Sequence, residues 1–296
     1  MRFLILGGNG LVGSNLKKVL LQNGCEVAAT SVEQNAFDGA IVCDILDNQN
    51  IERVFREVKP DVTINATNLS GGVDFCESNP HLSERFHYDA NISIGKYCLQ
   101  HKSKYVIIST DYVFDGQQAP YAEDDEVNPL NVYGKCKWMA EQWMLNNLPD
   151  PLIIRSTNIF GWDPLTTTPN FLMGLYFKLK EKQTANVPSY LWGNPTHAID
   201  LSKAITELCE KKLSGIYHVV GSSFISRYDW AIKFCKVTGF DESLIIKSEK
   251  IPEKIVPRPF RSNLSTDKFR TACKTILHNV DEGLVLFNKE MNLTPR

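Results

Sequence analysis

The sequence predicts an α/β protein built on a doubly wound parallel sheet with helices on both faces. Three observations carry that prediction. Short, continuously apolar stretches alternate with helical ones from the first residue, as expected of strands buried on both sides. A glycine-rich turn, "GGNGLVG" at residues 7–13, separates the first strand from the first helix. The composition, 43% hydrophobic and 22% charged over 296 residues, is that of a globular chain with room for one large domain or two modest ones.

The elements follow in order. "RFLILGG" is an apolar strand and "LVGSNLKKVLLQNG" a helix stopped at Gly24. "CEVAAT" and "AIVCD" are the second and third strands. "NQNIERVFREVKP" is a helix ended by Pro60, and "DVTINAT" is the fourth strand. "HLSERFHYDANISIGKYCLQHK" reads as one long amphipathic helix, followed by the fifth strand "KYVIIST". In the next helix, "NVYGKCKWMAEQWM", Val132, Cys136, Met139 and Trp143 form the apolar stripe. Tyr133 and Lys137 stack one turn apart on the flank of that stripe. "PLIIRST" is the sixth strand.

After residue 160 the pattern changes. "GWDPLTTTPN" is loop-like and "FLMGLYFKLKEK" is helical. "THAIDLSKAITELCEKK" and "GIYHVVG" supply a helix and a strand that can return to the sheet, and "SRYDWAIKFCKVTG" is a helix before the proline-rich "IPEKIVPRPFR". The expected division is an NAD(P)-binding domain at 1–160 and 197–222, with a smaller substrate-binding domain at 161–196 and 223–296.

Several function classes are disfavoured. A net charge of −2 and a pI near 6.3 leave no basic footprint for nucleic acid or an anionic membrane. No apolar run approaches the ~18 residues of a membrane span, and "MRFLILGGNG" is too short for a signal-peptide core. The eight cysteines lie at least 18 residues apart, and the six histidines show no metal-ligand spacing. The expectation is a cytoplasmic protein with reduced thiols and no metal cluster.

The glycines at 7, 10 and 13 permit a tight turn and let backbone amides approach a pyrophosphate at the helix N-terminus. Gly7, Asn9, Gly10, Leu11 and Val12 are therefore candidate dinucleotide contacts. The second strand runs into "AATSVEQN", with neither an acid nor an arginine at the position that selects between cofactors. Thr30 and Ser31 can hydrogen-bond a ribose hydroxyl or a phosphate. NADP(H) or NAD(H) both fit, and the missing carboxylate favours NADPH. Asp44, with Ile45 beside it, is placed to accept from an adenine amino group, or it is a helix-start or turn aspartate.

"IISTDYVFDG" closes the fifth strand, at the edge where parallel sheets bind ligands. The Tyr133–Lys137 pair follows. A free phenol, with a pKa of ~10, is a poor acid–base group near neutrality. A close ammonium and a nicotinium cation are expected to lower it. Tyr133 then exchanges a proton with a carbonyl oxygen while hydride moves at its carbon, and a hydroxyl from Thr110 or Ser109 bonds the same oxygen.

With these motifs in place the chain resembles the extended short-chain dehydrogenase/reductase superfamily, whose members carry a Rossmann sheet. Within it, "STDYVFDG", "YGKCKWMAE", "GNPTHAIDL", "GIYHVVG" and "RPFRSNLSTDKFR" are similar to the dTDP-4-dehydrorhamnose reductase family, nearly end to end. The resemblance implies a triad of Thr110, Tyr133 and Lys137 and reduction of the C4 ketone of a dTDP-linked 6-deoxy sugar. Tyr133 would donate the proton and Lys137 would hold the nicotinamide ribose. It further implies Ala66 and Thr67 beside the cofactor, and a nucleotide-sugar substrate against Asp111, Val113 and Tyr133. Some members use magnesium at a dimer interface; no motif here carries that over, so magnesium and a homodimer rest on resemblance alone. Two alternatives stay open: another nucleotide-sugar epimerase or reductase, and a non-catalytic regulatory subunit similar to the methionine adenosyltransferase β subunit. One segment departs from the family pattern. "NATNLSGGVDFCE" is one residue longer between Asn65 and Asp74, has Leu69 in place of an aromatic, and adds Gly71–Gly72.

Overall fold

A computed structural model describes residues 1–163 and 168–293. The loop expected over "GWDPLTTTPN" therefore falls partly outside the described residues, at 164–167. The first half alternates as anticipated: β1 (Arg2–Leu6), α1 (Leu11–Gln22), β2 (Glu26–Ser31), β3 (Ile41–Val42), α2 (Asn48–Val58) and β4 (Val62–Asn65). The chain continues through α3 (Gly72–Ser78), α4 (Pro80–Glu84), a π turn at Arg85–Asp89, α5 (Ala90–His101), β5 (Lys104–Thr110), α6 (Val132–Asn147) and β6 (Leu152–Ser156). The rest comprises β7 (Ile159–Phe160), α7 (Phe171–Lys180), β8 (Ala185–Pro188), β9 (Trp192–Gly193), β10 (Thr196–His197), α8 (Ala198–Glu210), β11 (Gly215–His218), β12 (Ile225–Ser226), α9 (Arg227–Thr238), β13 (Ile245–Ser248), α10 (Asp267–Ala272) and α11 (Val280–Leu293).

Seven strands form one parallel sheet in the order β3-β2-β1-β4-β5-β6-β11, so the strand of "GIYHVVG" does return to it, beside β6. The winding reverses between β1 and β4, which pair Leu6 with Asn65, and this switch point opens the crevice where such sheets bind ligands. Side-chain alternation along β1 feeds both faces. Phe3 and Ile5 pack under α1 and α8 with Leu16, Leu20, Leu201 and Ile205. Leu4 and Leu6 pack under α2, α5 and α6 with Ile51, Phe55, Ile94 and Met144. Each such side chain contributes roughly 1.5–3 kcal/mol on burial. A further core, built from α7, α9 and α11, gathers Phe160, Leu172, Trp230, Phe234 and Phe287.

Three local features differ from the sequence reading. The third strand shrinks to two residues. The long helix around residues 80–101 is interrupted by the π turn, which offsets the drift of a four-residue spacing on an α-helix. Ser83, His87 and Asn91 thereby all face inward, each under 5% exposed. On α6 the buried face is rotated from the expected stripe. Cys136, Lys137, Ala140, Glu141 and Met144 are buried, while Val132, Met139 and Trp143 are only partly so. Lys137 thus lies within the buried face, where β5 offers it a carbonyl.

Candidate active site

The glycine loop is fixed from three sides. Gly7 takes φ +84°, open to glycine without strain. The Gly8 amide donates to the Thr30 carbonyl at 2.6 Å and the Gly7 amide to Thr30 Oγ1 at 3.4 Å, tying the loop to β2. A Cβ on Gly13 would stand 2.1 Å from the Gly7 oxygen, so helix and loop touch backbone to backbone. Gly10, the N-cap of α1, is different: a Cβ there would meet only the Gly7 oxygen, at 3.6 Å. Among the described residues no side chain caps α1 and no acid stands in its first turn, so its amides suit a dinucleotide pyrophosphate. Asn9, Leu11 and Val12 are half-buried at this rim.

The remaining cofactor candidates take up definite positions. Thr67 comes from the end of β4 to lie against Gly7, with its hydroxyl and amide both donating to Asn65 Oδ1; Ala66 precedes it, its amide on the Leu6 carbonyl. Thr30 and Ser31 are buried, and both hydroxyls accept from backbone amides, of Gly7 and Glu33 respectively. Their immediate work is to hold the loop, and each retains one hydroxyl proton to donate. Asp44 is exposed and accepts from the Leu46 amide in a turn, while Asp47 caps α2; Ile45 is core. Of the structural roles open to it, Asp44 takes the turn.

Across the crevice, β5 and α6 assemble the tyrosine site. Asn131 caps α6 by accepting from the Gly134 amide at 2.9 Å, which sets the first turn bearing Tyr133. A Cβ on Gly134 would lie 2.2 Å from the Tyr112 oxygen, so glycine lets α6 close on the strand end. Thr110 ends β5; its hydroxyl accepts from the Tyr112 amide and donates to Asp111, both at 3.2 Å, and its proximity helps hold down the pKa of the Tyr133 phenol. Lys137 Nζ donates to the Ile108 carbonyl at 3.0 Å and lies 5.8 Å from the Tyr133 ring centroid. Tyr133 is flanked edge-on by His87 at 5.1 Å and Tyr112 at 5.9 Å.

The electrostatics correct one expectation. In this ligand-free site the phenol is raised above its ordinary value, first by burial and then by the neighbouring Asp111 carboxylate; the Thr110 hydroxyl opposes both. Tyr133 is therefore a loaded proton donor. Lys137 is pulled down to about 8 by burial, with the Glu141 carboxylate opposing. Burial and the Lys137 charge push His87 down to about 2, leaving it neutral.

A wall of the site joins Asp111, expected at the substrate, to residues the sequence reading did not single out. Asp111, Tyr112, Asn158, Trp192, Arg227 and Ser262 line a small, partly open cleft. Asp111 is buried and accepts from Ser262 and, at 3.2 Å, from Thr110; burial raises its carboxyl and these bonds resist. Arg227 donates to Asn158 Oδ1 at 2.9 Å and lies over Phe171. Arg261 stacks 4.5 Å over Trp192. Arg258 pairs with Asp74 at 2.5 Å, linking the C-terminal segment to the unusual loop before α3. The basic-aromatic run "RPFR" was the available signal. Val113, expected at the substrate, is fully buried against Phe114 and Tyr121, so its side chain belongs to the core. Among the described residues no cluster of three or more His, Cys, Asp or Glu is arranged to hold a metal ion, and no helix is long and apolar enough to cross a membrane.

Comparison with known proteins agrees with this architecture. The family model for the RmlD substrate binding domain matches residues 1–293. The spore coat polysaccharide biosynthesis protein SpsK of Bacillus subtilis is 31% identical over 271 residues, covering 89% of each chain. The dTDP-4-dehydrorhamnose reductase of Salmonella typhimurium is 29% identical, with 99% of each chain covered. A solved structure, of a hypothetical dTDP-4-dehydrorhamnose reductase from Sulfolobus tokodaii, superposes with a TM-score of 0.83 at 31% identity, covering 96% of this chain and 99% of that one. On the match over residues 1–293, this chain belongs to the RmlD substrate-binding-domain family.

Proposed function

We propose that this protein is an NAD(P)H-dependent reductase of the C4 ketone of a nucleotide-linked 6-deoxy sugar, of the dTDP-4-dehydrorhamnose reductase type. The observation that carries the reading is the convergence of Thr110, Tyr133 and Lys137 at the C-terminal edge of β5, across the crevice from an uncapped helix N-terminus. The open approach at Gly10 fits a dinucleotide, held by the α1 amides, with Thr67 and the Thr30 and Ser31 hydroxyls beside it. NADPH or NADH supplies the hydride when bound.

The chain's own groups supply the rest. Tyr133, protonated in its buried setting, gives its proton to the carbonyl oxygen as charge develops there. Thr110 orients that oxygen with its hydroxyl. Lys137 stabilises the phenolate left behind and orients the ribose. Arg227, Arg258 and Arg261 are assigned to the substrate diphosphate, with Trp192 beside them. Residues 161–196 and 223–296 act as the substrate-binding domain around the core of α7, α9 and α11. All eight cysteines are free, which supports a reducing, cytoplasmic setting.

The test is to mix the pure protein with dTDP-4-dehydrorhamnose and NADPH or NADH and to follow cofactor absorbance. Oxidation of either cofactor supports the assignment, and oxidation of neither removes it.

A further inference from the structure

Consecutive residues of β5, Ile108 and Ser109, hold successive turns of α6, and Thr110 stands beside the turn before them. The Ile108 carbonyl accepts from Lys137 Nζ at 3.0 Å and the Ser109 hydroxyl donates to the Glu141 carboxylate, while Thr110 acts on the Tyr133 phenol by lowering its pKa. Tyr133, Lys137 and Glu141 are four residues apart and share a helix face. The first two have a chemical assignment; Glu141 has none.

Glu141 is fully buried, and so is its partner Arg155 on β6. Arg155 grips both carboxylate oxygens, Nε to Oε1 at 3.1 Å and Nη2 to Oε2 at 2.7 Å. Arg155 in turn reaches the Glu123 carbonyl at 3.3 Å and stands 3.5 Å from His218 Nε2. A buried ion pair seldom stabilises a fold more than apolar residues of the same volume. Its position one turn from Lys137 gives it a local use.

The groups acting on Lys137 or acted on by it come from several elements. Tyr133, Cys136 and Glu141 lie on its own helix, Cys76 on α3 and His87 on the π turn. Burial raises the two thiols and the phenol, and it keeps His87 neutral. The carboxylate of Glu141 is thus the negative charge that opposes the pull of burial on the ammonium. We propose that Glu141, fastened by Ser109 and Arg155, is a positioning residue that keeps Lys137 charged and seated on the Ile108 carbonyl beside Tyr133. The catalytic consequence rests on the reductase reading; the electrostatic contact does not.

The test titrates Lys137 itself, by NMR of carbon-13-labelled lysines in the ligand-free protein, with Lys137→Met to assign the signal. Glu141→Gln keeps the hydrogen-bonding shape and removes the charge. The Lys137 titration should fall by about one pH unit or more, and Glu141→Asp should recover most of that shift. An unchanged titration in folded Glu141→Gln overturns the proposal. Should stranding Arg155 unfold that variant, Glu141→Gln combined with Arg155→Gln leaves neither charge alone. A smaller downward shift is expected there, because the opposing Arg155 charge goes with it, and a shift of Lys137 upward overturns the proposal. With keto-sugar substrate, the alkaline limb of kcat/KM should move by the same amount. A shifted Lys137 without turnover in any form would count against the reductase reading and leave the role of Glu141 standing.

Discussion

Two glycines three residues apart in the same loop should respond differently to alanine. At Gly13 the new Cβ would stand 2.1 Å from the Gly7 oxygen and 2.9 Å from Gly8 Cα, where ordinary contact begins at 3.4 Å. Backbone has to move by about 1 Å, and overpacking of that kind costs about 1–3 kcal/mol. For a chain of this length the melting temperature should fall by a few degrees. At Gly10 the backbone φ is −79°, open to any residue, and the nearest atom to a Cβ is the Gly7 oxygen at 3.6 Å. Exchanging glycine for alanine at an N-cap costs about 1 kcal/mol or less. Yet the methyl would sit where a pyrophosphate must approach the α1 amides, and losing one charge-assisted hydrogen bond lowers affinity about tenfold or more. Thermal melting without cofactor and fluorescence titration with NADPH separate the two effects. Gly13→Ala should lose stability and binding together, and Gly10→Ala should lose binding alone. Wild-type NADPH affinity in Gly10→Ala would mean that the pyrophosphate does not rest on these amides, and the cofactor placement would have to be abandoned.

Three further outcomes are expected. Tyr133→Phe should lower turnover ~100-fold or more while NADPH still binds, the size of a lost general acid; retained turnover would take Tyr133 out of the mechanism. Arg258→Ala should raise the KM for the nucleotide sugar about tenfold, with a stability change below about 1 kcal/mol because its partner Asp74 is 66% exposed. An unchanged KM would remove Arg258 from substrate binding. Glu207 gives a pH signature. Burial raises its carboxyl, but donors from Lys211, Lys274 and Thr275 outweigh this and bring it down to about 2 from 4.5. A folded-state value below the unfolded one stabilises above the unfolded value and is lost as pH falls. Glu207→Gln should therefore cost about 1–2 kcal/mol at neutral pH, discounted for the partly exposed Lys211. In denaturant titrations the gap to wild type should close between 4.5 and about 2, and a gap that ignores pH would contradict the assignment.

What the sequence disclosed and what it hid divide along range. The sheet is legible because the apolar runs are local, and the glycine loop because its constraint, the closeness of Gly13 to Gly7, is met within seven residues. The buried face of α6 was misread for a physical reason. Periodicity counts apolar residues, and this face carries Lys137 and Glu141, whose burial depends on acceptors and donors from β5 and β6. The π turn escaped for the same reason, since the residues it brings inward, Ser83, His87 and Asn91, are polar.

The unusual loop shows why substrate selection is the least legible part of the site. Gly71 and Gly72 take φ +93° and +66°, a left-handed pair that reverses the chain and launches α3. From there Asp74 reaches Arg258 across 184 residues of sequence, and Glu77 accepts from the Val132 amide, one residue before Tyr133. Asn131, the cap of α6, donates to the Pro257 carbonyl at 2.9 Å. Loop, helix start and C-terminal segment are thus one mechanical unit around the Tyr133 hydroxyl. On the proposed assignment, a change at Gly71–Gly72 would reach the substrate diphosphate through Arg258 and the proton donor through Val132. If the proposed roles hold, loop exchange should alter kcat together with KM, and a change in KM alone would show that the loop acts on the substrate without reaching Tyr133.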